Sequence, residues 1–310
     1  MISIKARLIN NIIRHRYLLE GKFKKEVFDF NTSIEGFREK CERGADRLPS
    51  LTDGVGSREE IIAGMKAEWL IPAGAQPEKV ILYVHGGGYV SGSCHDHRVL
   101  VSRFAKTVAV TTLLYEYRLA PEDPFPAALD DSVRMYRWLI DSGKKPENIL
   151  IAGESAGGGL VVALLLALRE QSVPLPAAAV AISPWLDLTC SGESYRTKNS
   201  VSAAPLNSWT VFSKYYTASA DATDPLISPL FGELKGLPPL FINTGADDEL
   251  IDESRLFCKK AKETGVEITF REGKGMLHCY PLLAPMFREA VEAMDEIALF
   301  IKKQLKTDQE

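Results

Sequence analysis

The sequence lacks the features of several large protein classes. It holds five cysteines, Cys41, Cys94, Cys190, Cys258 and Cys279, scattered, odd in number and with no C-x-x-C pair. That pattern argues against a disulfide framework and a zinc site, so neither metal nor cofactor is expected. It suits a reducing compartment, and the expected location is cytoplasmic. No apolar run approaches the roughly 18 residues that a membrane span needs. The longest, Leu160–Leu168, reads as a helix buried against a sheet, and stable membrane insertion is not expected. Net charge is only −4, which offers nucleic acid no basic face. There is no internal repeat and no low-complexity segment.

What remains is an ordinary globular composition, 45% hydrophobic and 25% charged over 310 residues. Apolar runs suited to strands alternate with amphipathic stretches. Strands are expected at Ala67–Ile71, Lys79–Val84, Val108–Tyr115, Ile149–Ala152, Ala178–Ile182, Leu240–Asn243 and Val266–Phe270. Helical patterns fall at about 98–106, 129–140, 158–170, 252–263 and 285–304. The alternation implies βαβ units and a mostly parallel sheet covered on both faces. In such sheets the site lies beyond the carboxyl ends of the strands.

The amino-terminal part reads differently. Ile4, Leu8 and Ile12 recur at helical spacing, with Ile9 and Ile13 beside them, among Lys5, Arg7, Arg14 and Arg16, with no acid before Glu20. A secretory signal would need an unbroken apolar core and a small-residue cleavage site, and neither is present. The basic amphipathic pattern keeps a membrane-surface helix open. The expectation is a helix packed by its apolar row onto its own protein, over the active site. A second short helix and a loop with Pro49, Gly54 and Gly56 follow. Residues 190–222 interrupt the βα rhythm and carry Trp209, Phe212, Tyr215 and Tyr216, expected to pack inward as a lid or pocket wall.

Chemistry concentrates at Gly153-Glu154-Ser155-Ala156-Gly157, between the strand ending at Ala152 and an apolar helix. A serine on a sharp strand-to-helix turn is forced into strained dihedrals and needs neighbours without side chains two residues away on either side. Such a serine needs a base, an orienting acid and an oxyanion hole. The chain has five histidines, His15, His85, His95, His97 and His278, and only His278 follows Ser155 as the order serine–acid–histidine requires. Asp247, Asp248 and Asp252 follow the Leu240–Asn243 strand and compete for the acid. The Ala156 amide and the glycine run His85-Gly86-Gly87-Gly88 are candidates for the oxyanion donors. Cys279 stands beside the histidine and is expected as a small core residue.

Four blocks together resemble the hormone-sensitive-lipase-like, H-G-G-G branch of the α/β-hydrolases. They are His85–Tyr89, Tyr117-Arg118-Leu119-Ala120-Pro121-Glu122, Gly153–Gly157 with Glu154 where the family has Asp, and Asp224-Pro225-Leu226-Ile227-Ser228-Pro229. The resemblance spans roughly residues 66–305. It implies an α/β-hydrolase fold, a mostly parallel sheet of about eight strands flanked by helices, with a helical cap. The cap would comprise residues 1–55 and a segment inserted at about 190–222, and 56–310 would form the catalytic domain. The resemblance further implies Ser155 as nucleophile, His278 as base, and Gly87, Gly88 and Ala156 as oxyanion donors. Asp248-Glu249-Leu250-Ile251-Asp252-Glu253 stands where the family has D-P-L-x-D-E, so Asp248 aligns with the triad acid. Asp252 aligns with a second aspartate expected to support the histidine loop. His85, with Gly86, is expected to order the oxyanion loop. Glu249 for Pro, Cys279-Tyr280 for Gly-Phe and Tyr89 for Trp or Phe are departures. The expected activity is hydrolysis of small or short-acyl carboxylic esters. Lactone or amide hydrolysis are variants on the same triad, and a non-catalytic receptor is a rival that the intact triad disfavours. A small-molecule ester is the expected partner, and a homodimer is left open.

Overall fold

The computed structural model describes residues 2–19, 21–46, 51–202 and 204–307. Pro49 of the expected loop lies outside the described residues. The strands are β1 (Val55–Ile62), β2 (Met65–Pro72), β3 (Val80–Val84), β4 (Thr112–Tyr115), β5 (Ile149–Glu154), β6 (Ala178–Ile182), β7 (Leu240–Gly245) and β8 (Ile268–Gly273). They form one sheet in the order β1-β2-β4-β3-β5-β6-β7-β8. β1, β2 and β4 pair antiparallel, and every pairing from β4 through β3 to β8 is parallel. β3, β4, β5, β6 and β7 are buried at every position. Uninterrupted apolar runs dictate this, because a parallel strand covered on both faces has no polar side.

The helices are α1 (Ile4–Arg14), α2 (Arg16–Leu19), α3 (Ile34–Ala45), α4 (Cys94–Val108), α5 (Ala127–Asp141), α6 (Ala156–Glu170), α7 (Ser194–Thr197), α8 (Ser208–Thr217), α9 (Ile251–Glu263) and α10 (Arg288–Leu305). α4 and α10 pack one sheet face, with Phe104, Met294 and Ile297 against Ile81, Tyr83 and Leu150. The other face is covered by α5, α6 and α9. Ala156 through Leu168 of α6 are all buried, as a helix apolar on every side requires. No helix among the described residues is long and apolar enough to cross a membrane.

Three expectations need correction. β1 was not anticipated, because six of its eight residues are exposed. An edge strand wet on both faces leaves no apolar alternation to read. The expected strand from Val108 begins only at Thr112, because Val108 closes α4 and Ala109 adopts a left-handed cap (φ 58°). Of the amino-terminal apolar residues, Ile4, Leu8 and Ile12 are 85%, 59% and 47% exposed, while Ile9 packs with Ala6 against Met276, Tyr280 and Phe287. α1 is held through Ala6, Ile9, Asn10 and polar anchors. Ser3 N and Oγ donate to Glu289, and Asn10 Nδ2 donates to the Gly275 carbonyl at 2.9 Å.

Candidate active site

β5 runs into α6 through Ser155, whose backbone sits at φ 57°, ψ −124°. A non-glycine residue there is strained and persists only where its surroundings fix it. The fixing is main-chain contact. Ser155 N donates to the Ile182 carbonyl at 2.9 Å, and its own carbonyl accepts from Gly159 N and Trp185 N. At Gly157 a Cβ would lie 2.2 Å from the Val84 carbonyl oxygen and 2.3 Å from that of His85. Only glycine lets α6 come this close to the end of β3. The glycine demanded by the motif is therefore a packing requirement. Ala156 is the first helical residue, so its N–H has no acceptor within α6 and the helix's positive end faces the turn.

The glycine run follows β3 directly. Gly88 has φ 66°, and a Cβ on it would meet the Phe212 ring at 2.4 Å. Gly86, Gly87, Gly88, Ser155 and His278 line one cleft of about 360 Å³ at the carboxyl end of the sheet. Beside it, fully buried His85 bonds through Nδ1 to the Gly86 carbonyl at 2.8 Å and stacks on Tyr117, centroids 4.2 Å apart. Burial pushes the His85 imidazole down to about 4, aided by the charge of His97. The buried ring is fastened beside the glycine loop by the Gly86 bond and the Tyr117 stack.

His97 and Glu154 form a polar clamp under this loop. Glu154 Oε1 accepts from Gly86 N at 2.6 Å and lies 3.0 Å from His97 Nε2. His97 Nδ1 is in turn bonded to Asp96. Burial opposes charge on His97, but its bonds to the two carboxylates prevail and push it up to about 10. The imidazole is thus held between two acids, and Glu154, the residue before Ser155, is tied to the glycine loop. His97 was not anticipated by sequence reasoning. It follows Asp96 directly, but Glu154 lies 57 positions away along the chain.

His278 sits in the turn after β8. Its Nδ1 donates to Asp248 Oδ2 at 2.8 Å, with Asp248 only 1% exposed. Asp248 Oδ1 accepts from Leu250 N at 3.1 Å, which fixes the carboxylate plane. Burial works against charge on His278, but the Asp248 carboxylate outweighs it, and the pKa stands well above the ordinary histidine value. Of the aspartates left open by spacing, Asp248 is thus the one that reaches the histidine. Asp247 points the other way, to Arg14 at 2.6 Å and Lys198 at 3.5 Å. Asp252 departs from its expected part. It accepts from Ser194 N at 2.8 Å and pairs with Arg255, and has no bond to the histidine loop among the described residues. That loop is tied down by Asp247 N to the Met276 carbonyl, Cys279 N to Ser183 Oγ and Asn10 to Gly275. Cys279 is half-buried: it packs against the core cluster that holds Tyr83 and Ile182 and also lines the cleft, and burial raises its thiol pKa.

The remaining wall comes from residues distant in sequence. Arg16 and Phe37 line it from the amino-terminal segment, and Ala204, Pro205, Ser208, Trp209 and Phe212 from the 190–222 segment. The two segments touch through a Val27–Leu206 bridge and through Phe28 against Phe212 at 4.8 Å. Trp209 and Phe212 are buried as expected. Trp209 presents itself edge-on to His278, centroids 5.5 Å apart at 77°. Its indole N–H donates at 2.7 Å to Glu249 Oε2, which also accepts from Ser202 Oγ. Burial raises the Glu249 pKa. The glutamate replacing the family's proline therefore orients a ring against the catalytic histidine candidate, a role only the folded chain reveals.

The fold and this cleft are those of an α/β-hydrolase. Residues 81–282 match a family described by the α/β-hydrolase fold. An acetyl-hydrolase of Streptomyces hygroscopicus is 38% identical over 88% of this chain and 91% of its own. An esterase of Acinetobacter venetianus is 35% identical over 77% of this chain and 79% of its own. The crystal structure of an esterase from the bacterial hormone-sensitive lipase family superposes with a TM-score of 0.89 at 36% identity, covering 98% of this chain and 99% of that one. The chain belongs to the hormone-sensitive-lipase-like esterases of the α/β-hydrolase superfamily, and it is an ester-hydrolysing enzyme.

Proposed function

We propose that the enzyme cleaves small or short-acyl carboxylic esters through an acyl-enzyme on Ser155. The observation that carries this is one cleft lined by Ser155, in its strained turn, and by His278, whose Nδ1 is held by buried Asp248. His278 Nε2 takes the Ser155 proton as Oγ attacks the ester carbonyl. The tetrahedral oxyanion accepts hydrogen bonds from the amides of Gly87, Gly88 and Ala156. His278 then protonates the leaving alcohol, activates a water and lets it release the acid. Asp248 stays ionised, holding the ring's tautomer and stabilising the imidazolium. His85, Gly86 and Glu154 keep the oxyanion loop in place. The segments around 1–55 and 190–222 together form a cap that closes the cleft.

The test is turnover of p-nitrophenyl butyrate. Ser155→Ala is expected to abolish it. Asp248→Asn is expected to lower kcat about 10⁴-fold, as loss of the orienting acid does elsewhere. Asp247→Asn is expected to leave kcat within a few-fold. Full turnover by Ser155→Ala, or the reverse order of the two aspartates, would overturn the assignment.

A further inference from the structure

The amino-terminal helix has two faces of opposite character. At about 3.6 residues per turn, Ala6, Ile9, Asn10 and Ile13 of α1 fall on one side and Ile4, Leu8 and Ile12 on the other. The first side is turned to the protein, with Ala6 and Ile9 against Met276, Tyr280 and Phe287 and Asn10 bonded to the Gly275 carbonyl. The second side is open, and Ile4, Leu8 and Ile12 are exposed along it. Exposed Lys5 borders that row on one flank and exposed Arg7 on the other. Past the helix, Leu19 and Phe23 are 77% and 93% exposed, and Phe23 stands between Lys22 and Lys24 in the sequence.

Charge is distributed to match. Residues 1–25 hold seven lysines and arginines and one acid, Glu20, so this short segment carries +6 in a chain of net charge −4. Lys5, Arg7, Arg16 and Lys24 have no acidic partner among the described residues. An exposed apolar row on a folded chain marks an interaction surface. A protein partner that covers Ile4, Leu8 and Ile12 has no need of the cationic border, and a nucleic acid has no use for the apolar row. A bilayer with anionic head groups presents both complements at once, hydrocarbon beneath and negative charge around it. With 11 residues, α1 is too short to cross a bilayer, so the contact is with one leaflet.

We propose that the outer face of α1 docks the enzyme on an anionic lipid bilayer. Ile4, Leu8 and Ile12 enter the head-group boundary, and Lys5 and Arg7 pair with lipid phosphates on either flank. The opposite face of α1 is anchored to Gly275, three residues before His278, and Arg14 pairs with Asp247, the neighbour of Asp248. Arg16, which follows, lines the cleft. Docking therefore holds the histidine and aspartate loops close to the lipid surface. The proposal stands on the exposed face of α1 and does not depend on the acyl-transfer reading above.

The experiment is co-sedimentation of the full chain with vesicles of phosphatidylcholine alone and of phosphatidylcholine with ~30 mol% phosphatidylglycerol. Binding is expected to the anionic vesicles only, and to weaken as salt is added. Lys5→Gln with Arg7→Gln is expected to weaken it roughly 20-fold, at about fivefold per charge. Leu8→Ser with Ile12→Ser is expected to weaken it at least about tenfold. These four side chains are exposed, so thermal unfolding and turnover of soluble p-nitrophenyl butyrate are expected to stay unchanged in both variants. No binding to either vesicle, equal binding to both, or binding that neither double variant weakens would overturn the proposal. So would a concentration-dependent dimer of the unsubstituted chain that Leu8→Ser with Ile12→Ser abolishes, since the face would then belong to a second copy.

Discussion

Around Ser155, position is set by main-chain contact. In the segments proposed as the cap, charged and polar side chains add to the packing of Phe28 and Phe37 on Phe212. Gly157 lies against two carbonyl oxygens, and Ser155 carries three main-chain hydrogen bonds to β6, Trp185 and α6. Across the cleft, Arg14 and Lys198 pair with Asp247, Lys25 donates to the carbonyls of Asn199 and Ser202, and Arg38 bridges Val90, Ala120 and Glu122. The difference teaches which part of an esterase tolerates change. A backbone in van der Waals contact has no alternative arrangement, whereas a partly exposed ion pair can open at modest cost.

The comparison breaks first, and hardest, at Gly157. Gly157→Ala places a methyl inside the Val84 and His85 carbonyls, and overpacking of this kind costs about 1–3 kcal/mol or more. The expected result is a large fall in Tm and loss of turnover, read by thermal unfolding and ester assay. A variant as stable and active as the original would mean that the turn is not held by this contact.

Acidity gives an intermediate effect that belongs to the rigid side alone. His278 must be neutral to accept the Ser155 proton, and its pKa is raised by Asp248. Protonation therefore removes activity at a higher pH than for an unperturbed histidine. The acid limb of the kcat/KM–pH profile is expected above the ordinary value of 6.5, with activity still rising through neutrality. A limb at or below that value would contradict the pairing.

The smallest effect is expected at the cap. Arg14 and Asp247 are 24% and 26% exposed in their side chains, so the pair is worth at most about 1 kcal/mol. Arg14→Ala is expected to raise KM a few-fold with little change in kcat, and added salt should shift the original enzyme in the same direction. A large loss of kcat would move α1 from the cap into the catalytic machinery.

The same contrast explains what could be read from residues alone. Contacts between backbones leave glycines as their trace, so Gly153–Gly157 and Gly86–Gly88 marked the turn and its facing loop before any coordinates. The buried parallel strands were legible because an unbroken apolar run has few other uses. Polar clamps leave no such trace. Asn10, Arg14, His97 and Glu249 find partners far away in sequence, and nothing in their local pattern names them. The Ile4–Leu8–Ile12 row faces outward, while neighbouring Ile9 joins Ala6 and Asn10 on the packed face of α1. β1 was invisible because both its faces are wet.

The most direct test of the central claim is to treat the enzyme with a fluorophosphonate and map the modified peptide by mass spectrometry. The account predicts a single adduct on Ser155, with ester hydrolysis lost in proportion to labelling. Labelling at another residue, or full hydrolysis with Ser155 quantitatively modified, would contradict it.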